Sequence, residues 1–242
     1  MSGMLQALDA GARLESGSSG KSVKPRPVYG DHSELLKASE AVPSLVPIKT
    51  ALASVSDKEG LAELGETLAE LGVEMIATEG TAKELKPLES KGLTLFDLTT
   101  YTGFPENLNG RLKTLHHKIQ AGVLAIRGHH DQILNRESAK FIDLLIVNLY
   151  PFEQTAAKNG DFYECIEYID IGGPALLRAG AKNHACVTAI CDPGDYQDLI
   201  KELKLNKGHT SLGFRRKCAM KVFELTSTYD RAIAAWFKSK LK

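Results

Sequence analysis

The sequence predicts an α/β fold of three layers, with helices packed on both faces of a parallel sheet. Three observations predict it. Short apolar runs alternate with helical periodicities from about residue 48, Phe141 to Leu149 is the nearly continuous apolar run of a buried parallel strand, and the chain closes on one long amphipathic stripe.

Taken in order, Thr50 to Val55 reads as a strand ending at Ser56-Asp57, and either of those two residues suits the cap of the next helix. Leu61, Leu64, Leu68 and Leu71 recur at helical spacing on one face, and Gly72 supplies the stop. Val73 to Ala77 is a second strand, Thr81 to Lys91 a helix, and Thr94 to Leu98 and Ile119 to Ala125 are extended. After the strand at Phe141 to Leu149, Gly173-Pro174 opens a helix, because proline fits a first turn. Ala185 to Ile190 is a further strand, and a helix follows Asp192-Pro193. Phe214, Cys218, Val222, Leu225, Tyr229, Ile233 and Trp236 then mark one long helix whose apolar stripe suits a core or a dimer seam.

Residues 1–47 differ in kind. The Ser/Gly run from Glu15 to Lys21 and the prolines Pro25, Pro27, Pro43 and Pro47 leave too little apolar surface to fold alone, so this reads as a low-complexity extension and docking arm ahead of one domain over 48–242. Asp9, Glu15, Asp31, Glu34 and Glu40 argue against an acid-poor transit peptide.

The 30 Lys and Arg are matched by 30 Asp and Glu. That balance lacks the basic surplus of a polyelectrolyte binder, so nucleic acid is not an expected partner. Cys165, Cys186, Cys191 and Cys218 show no metal or CxxC spacing and read as reduced thiols, so no metal is expected. The apolar stretch at Leu144 to Leu149 falls far short of the roughly 20 residues that cross a bilayer, so no membrane span is expected. The expected setting is intracellular, cytoplasmic or organellar, and not secreted.

In a parallel α/β sheet, ligands bind beyond the carboxyl ends of the strands, and the polar loops lie there. Ser54-Val-Ser-Asp-Lys58 carries Ser56 and a lysine able to reach an anion, although taken alone a cap and a solvated lysine are the better account of it. Ala77-Thr-Glu-Gly-Thr81 is a short glycine turn entering a helix, where N–H groups and the helix dipole favour phosphate; alone, Gly80 signals no more than a tight turn. The stretch from Tyr101 to His116 is long and irregular and gathers Arg111, Lys113 and Thr114, and such loops are commonly functional. Asn148 and Tyr150 follow the buried strand, Asp170 stands beside the Gly172-Gly173 anion nest, and Lys182 lies in the last turn of the helix that follows.

The strings SVSDK, TEGTA, YTGFPE, GRLKTLH, VNLYPF, IDIGGP, AKNH and TYD, in this order, resemble the N-terminal IMP cyclohydrolase domain of the bifunctional AICAR transformylase/IMP cyclohydrolase family. The resemblance implies a methylglyoxal-synthase-like fold, a homodimer or a subunit of a larger assembly, a purine nucleotide substrate, and closure of formyl-AICAR to inosine monophosphate with loss of water and no cofactor. No RYGxNPHQ-like string follows, so no transformylase activity is expected of these residues. The resemblance further implies that Lys58, Thr78, Gly80, Thr81 and Arg111, with Ser56, Thr114, Gly172 and Gly173, hold the phosphate and substrate. It implies that Lys113, Asn148, Tyr150, Asp170 and Lys182 surround the reacting base, Asp170 and Tyr150 positioning the amide and the lysines steadying charge on the formyl oxygen.

Three positions depart from the family strings. Glu79 stands where the phosphate turn has its first glycine, His117 stands in place of a proline, and Gln120 replaces a histidine. A carboxylate turned into a phosphate cradle would repel the ligand, and that opens the alternative of a catalytically impaired relative serving as a structural or regulatory subunit.

Overall fold

The computed structural model describes residues 42–105, 108–150, 152–157 and 161–241. The expected extension therefore lies, up to residue 41, outside the described residues. Its last stretch does not: Leu45–Pro47 forms β1, three residues ahead of the domain start read from composition, and pairs antiparallel with β7, His209–Ser211.

The main sheet has five parallel strands in the order β4-β3-β2-β5-β6, namely Thr94–Asp97, Glu74–Ala77, Thr50–Ser54, Leu144–Val147 and Thr188–Ile190. Leu52 sits beside Ile76 on one side and Leu145 on the other, so apolar side chains line up across the sheet. Alternation then sorts them into two layers. Ala51, Ala53, Met75, Ala77, Leu144 and Ile146 meet helices α1 (Leu61–Glu70) and α9 (Tyr196–Leu205). Leu52, Ile76, Leu145, Val147 and Ala189 meet α3 (Leu98–Thr102), α4 (His117–Leu124), α8 (Gly172–Lys182) and α10 (Leu212–Lys240). This is the expected three-layer arrangement.

The remaining described helices are α2 (Glu79–Leu85), continued by a 3-10 turn over Lys86–Lys91, then α5 (Asp131–Arg136), α6 (Phe152–Ala157) and α7 (Phe162–Glu167). The strand expected at Ile119 to Ala125 is instead the helix α4. Ile119 and Val123, four residues apart, bury on one face, and the His116 ring accepts the Lys118 N–H at 3.2 Å to start the helix. Nor do Ser56 or Asp57 cap α1. Gly60, in the left-handed region at φ 71°, takes that place without a side-chain bond. Among the described residues, no helix is long and apolar enough to cross a membrane.

Candidate active site

The strand order reverses between β2 and β5, and the crevice at their carboxyl ends is where an open parallel sheet binds ligands. Asn148, just past β5, closes its floor. Its Oδ1 accepts the Ser56 N–H at 2.6 Å, the Ser56 hydroxyl at 2.9 Å and the Asp57 N–H at 3.1 Å, while its Nδ2 donates to the Asp57 carbonyl at 2.7 Å. The Asn148 amide is thus spent on holding the loop that carries Lys58, and in this arrangement it does not face a base. The Ser56 hydroxyl is committed to the same network.

Thr81 likewise turns inward. Its hydroxyl accepts the Val55 N–H at 3.1 Å and the Thr78 hydroxyl at 3.2 Å, and both threonines are buried. They brace the turn instead of offering hydroxyls to an anion. Gly80 remains open: among the described residues nothing beyond its own helix and chain neighbours comes within 4 Å of where a side chain would begin. Glu79 pairs along α2, its carboxylate 2.6 Å from Lys83 one turn later and 62% exposed. The Lys83 hydrogen bond and charge hold the Glu79 carboxyl below its usual range, and Lys113 is close enough to add to that.

Asp170 is the most constrained carboxylate of the crevice. Its Oδ1 accepts the Gly173 N–H at 2.8 Å, and the Gly172 and Tyr150 N–H groups also bond to it. Burial nonetheless pushes its pKa above the ordinary aspartate value, the three N–H groups opposing only part of the shift. Two close approaches explain the glycine pair. A side chain at Gly173 would meet Asp170 Oδ2 at 2.5 Å and Leu149 at 2.7 Å, and one at Gly172 would meet the Thr114 hydroxyl at 2.6 Å. Thr114 is therefore buried against the start of α8, and its neighbour Lys113 lies near enough to Glu79 for their charges to interact. Tyr150 is 46% exposed at the rim, its ring edge-on to Tyr168.

Two expected members lie elsewhere. Arg111 is paired with Glu167 at the end of α7, both side chains exposed. Lys182 sits in the last turn of α8, whose first turn holds Gly172 and Gly173. At 1.5 Å rise per residue the run from Gly172 to Lys182 is about 15 Å long, so Lys182 lies at the far end of α8 from the glycine pair. Cys191 and Cys218 are pushed by burial to about 11 and about 12, too high for a thiolate nucleophile.

Sequence reasoning missed the part played by Tyr229. Its hydroxyl accepts the Asp170 N–H at 2.8 Å, and the only signal was the TYD string, which carried no assigned role. It also missed a cleft of about 830 Å³ that opens from Asn148 and Tyr150 toward α10, where Asp57, Glu153, Asp192 and Glu224 outnumber Lys221.

Comparison with known proteins adds to this geometry. Residues 60–175 match the MGS-like domain and residues 180–242 the AICARFT/IMPCHase bienzyme family. The bifunctional purine biosynthesis protein PurH of Ruegeria pomeroyi and that of Dinoroseobacter shibae are each 48% identical over 199 residues, covering 81% of this chain and 37% of theirs. A crystal structure of ForH, 32% identical, matches 78% of this chain and 99% of its own with a TM-score of 0.66. The chain belongs to the AICARFT/IMPCHase bienzyme family.

Within that family it corresponds to the MGS-like, IMP cyclohydrolase domain, and it spans a little over a third of the length of the curated PurH relatives, at 37%. Of the three departures from the family strings, Glu79 pairs with Lys83 along α2. His117 bonds Glu137 at 2.8 Å on the surface, and the Gln120 amide nitrogen is buried without a hydrogen-bond partner among the described residues.

Proposed function

We propose that this chain closes formyl-AICAR to inosine monophosphate. The observation that carries the reading is the Asp170 carboxylate, held by backbone N–H groups at the opening of α8 beside the exposed Tyr150. Ring closure asks a carboxamide nitrogen, a weak nucleophile, to attack a formyl carbon in the same molecule. The carbon–nitrogen bond forms, the nitrogen loses a proton, and the resulting carbinolamine loses water. The gain comes from holding the reactive rotamer and placing charges in advance. Asp170 is placed to orient the amide N–H, Tyr150 to order the same edge, and Lys113 to steady the formyl oxygen as it gains charge.

The 5′-phosphate is best accommodated on the side of Lys58, Lys113 and the open Gly80, because carboxylates crowd the α10 side of the crevice. Arg111 joins it by leaving Glu167, an exposed pair worth about 0–1 kcal/mol. Asn148, Ser56, Thr78, Thr81 and Thr114 serve this centre by fixing loops, and Lys182 stands at the far end of α8. The same reading makes the protein intracellular and homodimeric, with the chain ahead of residue 42 as a docking arm, since Leu45–Pro47 is already paired into the domain. Exposed Met220 and Phe223 on α10, with Leu124 on α4, support a dimer seam.

The test is formyl-AICAR cyclisation by the purified chain, followed as inosine monophosphate formation. Turnover is expected, reduced about 100-fold or more in Lys113→Ala and changed less than about threefold in Glu79→Gly, since that carboxylate is already spent on Lys83. No turnover by the wild-type chain, or turnover appearing only in Glu79→Gly, would overturn the reading in favour of a non-catalytic subunit.

A further inference from the structure

We propose that Tyr229 is a positioning residue for Asp170, tying the catalytic loop to the long helix α10. One hydroxyl makes both ties. It accepts the Asp170 N–H at 2.8 Å and donates to the Tyr168 carbonyl at 3.3 Å, so its single proton is committed within the fold and does not reach a substrate. The ring is mostly buried and edge-on to Phe152, with centroids 6.3 Å apart, and it rides on the Leu212–Lys240 helix. A rigid element therefore fixes a segment, Tyr168 to Ile171, that joins α7 to α8 and exposes Ile171 to solvent.

The carboxylate depends on that segment. Gly172 and Gly173 fix where its oxygens point only if the Asp170 backbone stays in place, and the close approach of Gly173 to Oδ2 shows how narrow that place is. A displacement of about 1 Å in an aligned reacting pair costs on the order of 100-fold in rate. Losing the hydroxyl frees the Asp170 N–H and the Tyr168 carbonyl together, while leaving the ring packing.

This inference rests on the cyclisation reading, and its test separates the two. Tyr229→Phe and Asp170→Asn are assayed with wild type and the double variant, beside Phe162→Leu, which disturbs the same aromatic cluster without touching Asp170. Wild-type turnover checks the cyclisation reading. Given turnover, Tyr229→Phe is expected to lower kcat about tenfold with KM within about twofold, and the double variant to be no slower than Asp170→Asn, because both act on one group. Unchanged kcat in Tyr229→Phe, or effects that multiply in the double variant, would overturn the proposal. Hydrogen exchange at the Asp170 amide decides it even without turnover: it is expected to quicken in Tyr229→Phe but not in Phe162→Leu, and equal rates in the two variants would sink it.

Discussion

Asp170 bears a cost that its site exploits. Burial favours the neutral acid, and the Gly173, Tyr150 and Gly172 N–H groups recover only part of the penalty, so its folded pKa lies above its unfolded one. Between those two values the folded state binds more protons than the unfolded, so stability falls as pH rises through the window and is fully present only below the unfolded value of about 3.9. An asparagine keeps the acceptor oxygen but does not titrate. The melting-temperature difference, Asp170→Asn minus wild type, should therefore be more positive at about pH 7 than at about pH 4, as read by thermal scans in matched buffers. A difference that is flat or reversed would mean the carboxylate is stabilised as an ion. At this scale the sequence offers Asp170, Lys113 and Tyr150 as candidates through the order of the strings that hold them. Side-chain direction was not legible. Thr78, Thr81 and Thr114 look like phosphate ligands in one dimension, yet all three are buried: Thr78 donates to the Thr81 hydroxyl, Thr81 accepts the Val55 N–H, and Thr114 lies beside Gly172.

At the scale of elements, period decides what can be read. The stripe of α10 repeats over enough turns that no other structure fits it, and the strand alternation of the sheet is equally plain. Ile119 to Ala125 is too short for that test, since a seven-residue apolar patch fits either period, and only the packing of Ile119 and Val123 against the sheet settles it as helix. Strands β1 and β7, three residues each, carry no alternation to find. Gly122 is the residue that could have signalled the helix. A β-carbon added there would fall against the Lys140 carbonyl and also meet Ile142 at 3.2 Å. Backbone yields less than a flexible side chain does, so Gly122→Ala should push α4 off the segment leading into β5 and cost about 2 kcal/mol despite alanine's better helix propensity. Urea denaturation measures this. A variant as stable as wild type would show that α4 shifts freely, and the close packing would then lose its meaning.

Over the whole molecule, the sheet organises two cores but does not by itself hold the chain's first described residues to its last helix. Two buried charges make the ties. Asp143, at the amino end of β5, accepts the Lys49 and Thr50 N–H groups at 2.9 and 3.0 Å and pairs with Arg127. Arg215, in the second turn of α10, is fully buried, and its guanidinium donates to the carbonyls of His184 at 2.9 Å, Thr210 at 2.5 Å, Pro43 at 2.6 Å and Ala185 at 3.4 Å. These partners come from the approach to β1, from β7 and from the turn after α8, so one planar fork joins segments far apart in sequence. Composition gives no hint of this, because the run Arg215-Arg216-Lys217 in an amphipathic helix reads as a solvated basic face. Arg215→Met keeps the bulk but leaves buried carbonyls unpaired, and should cost about 3 kcal/mol by urea denaturation. The loss should also be local before it is global. The Leu212 N–H, which donates to the Ser44 carbonyl, should exchange faster along with the β1–β7 pair, while the amides of β2 and β5 change only with global stability. Arg215→Lys retains the charge but not the fork, and should recover only part of the difference. Full recovery by lysine would mean that the charge, and not the shape of the donor set, holds the ends together.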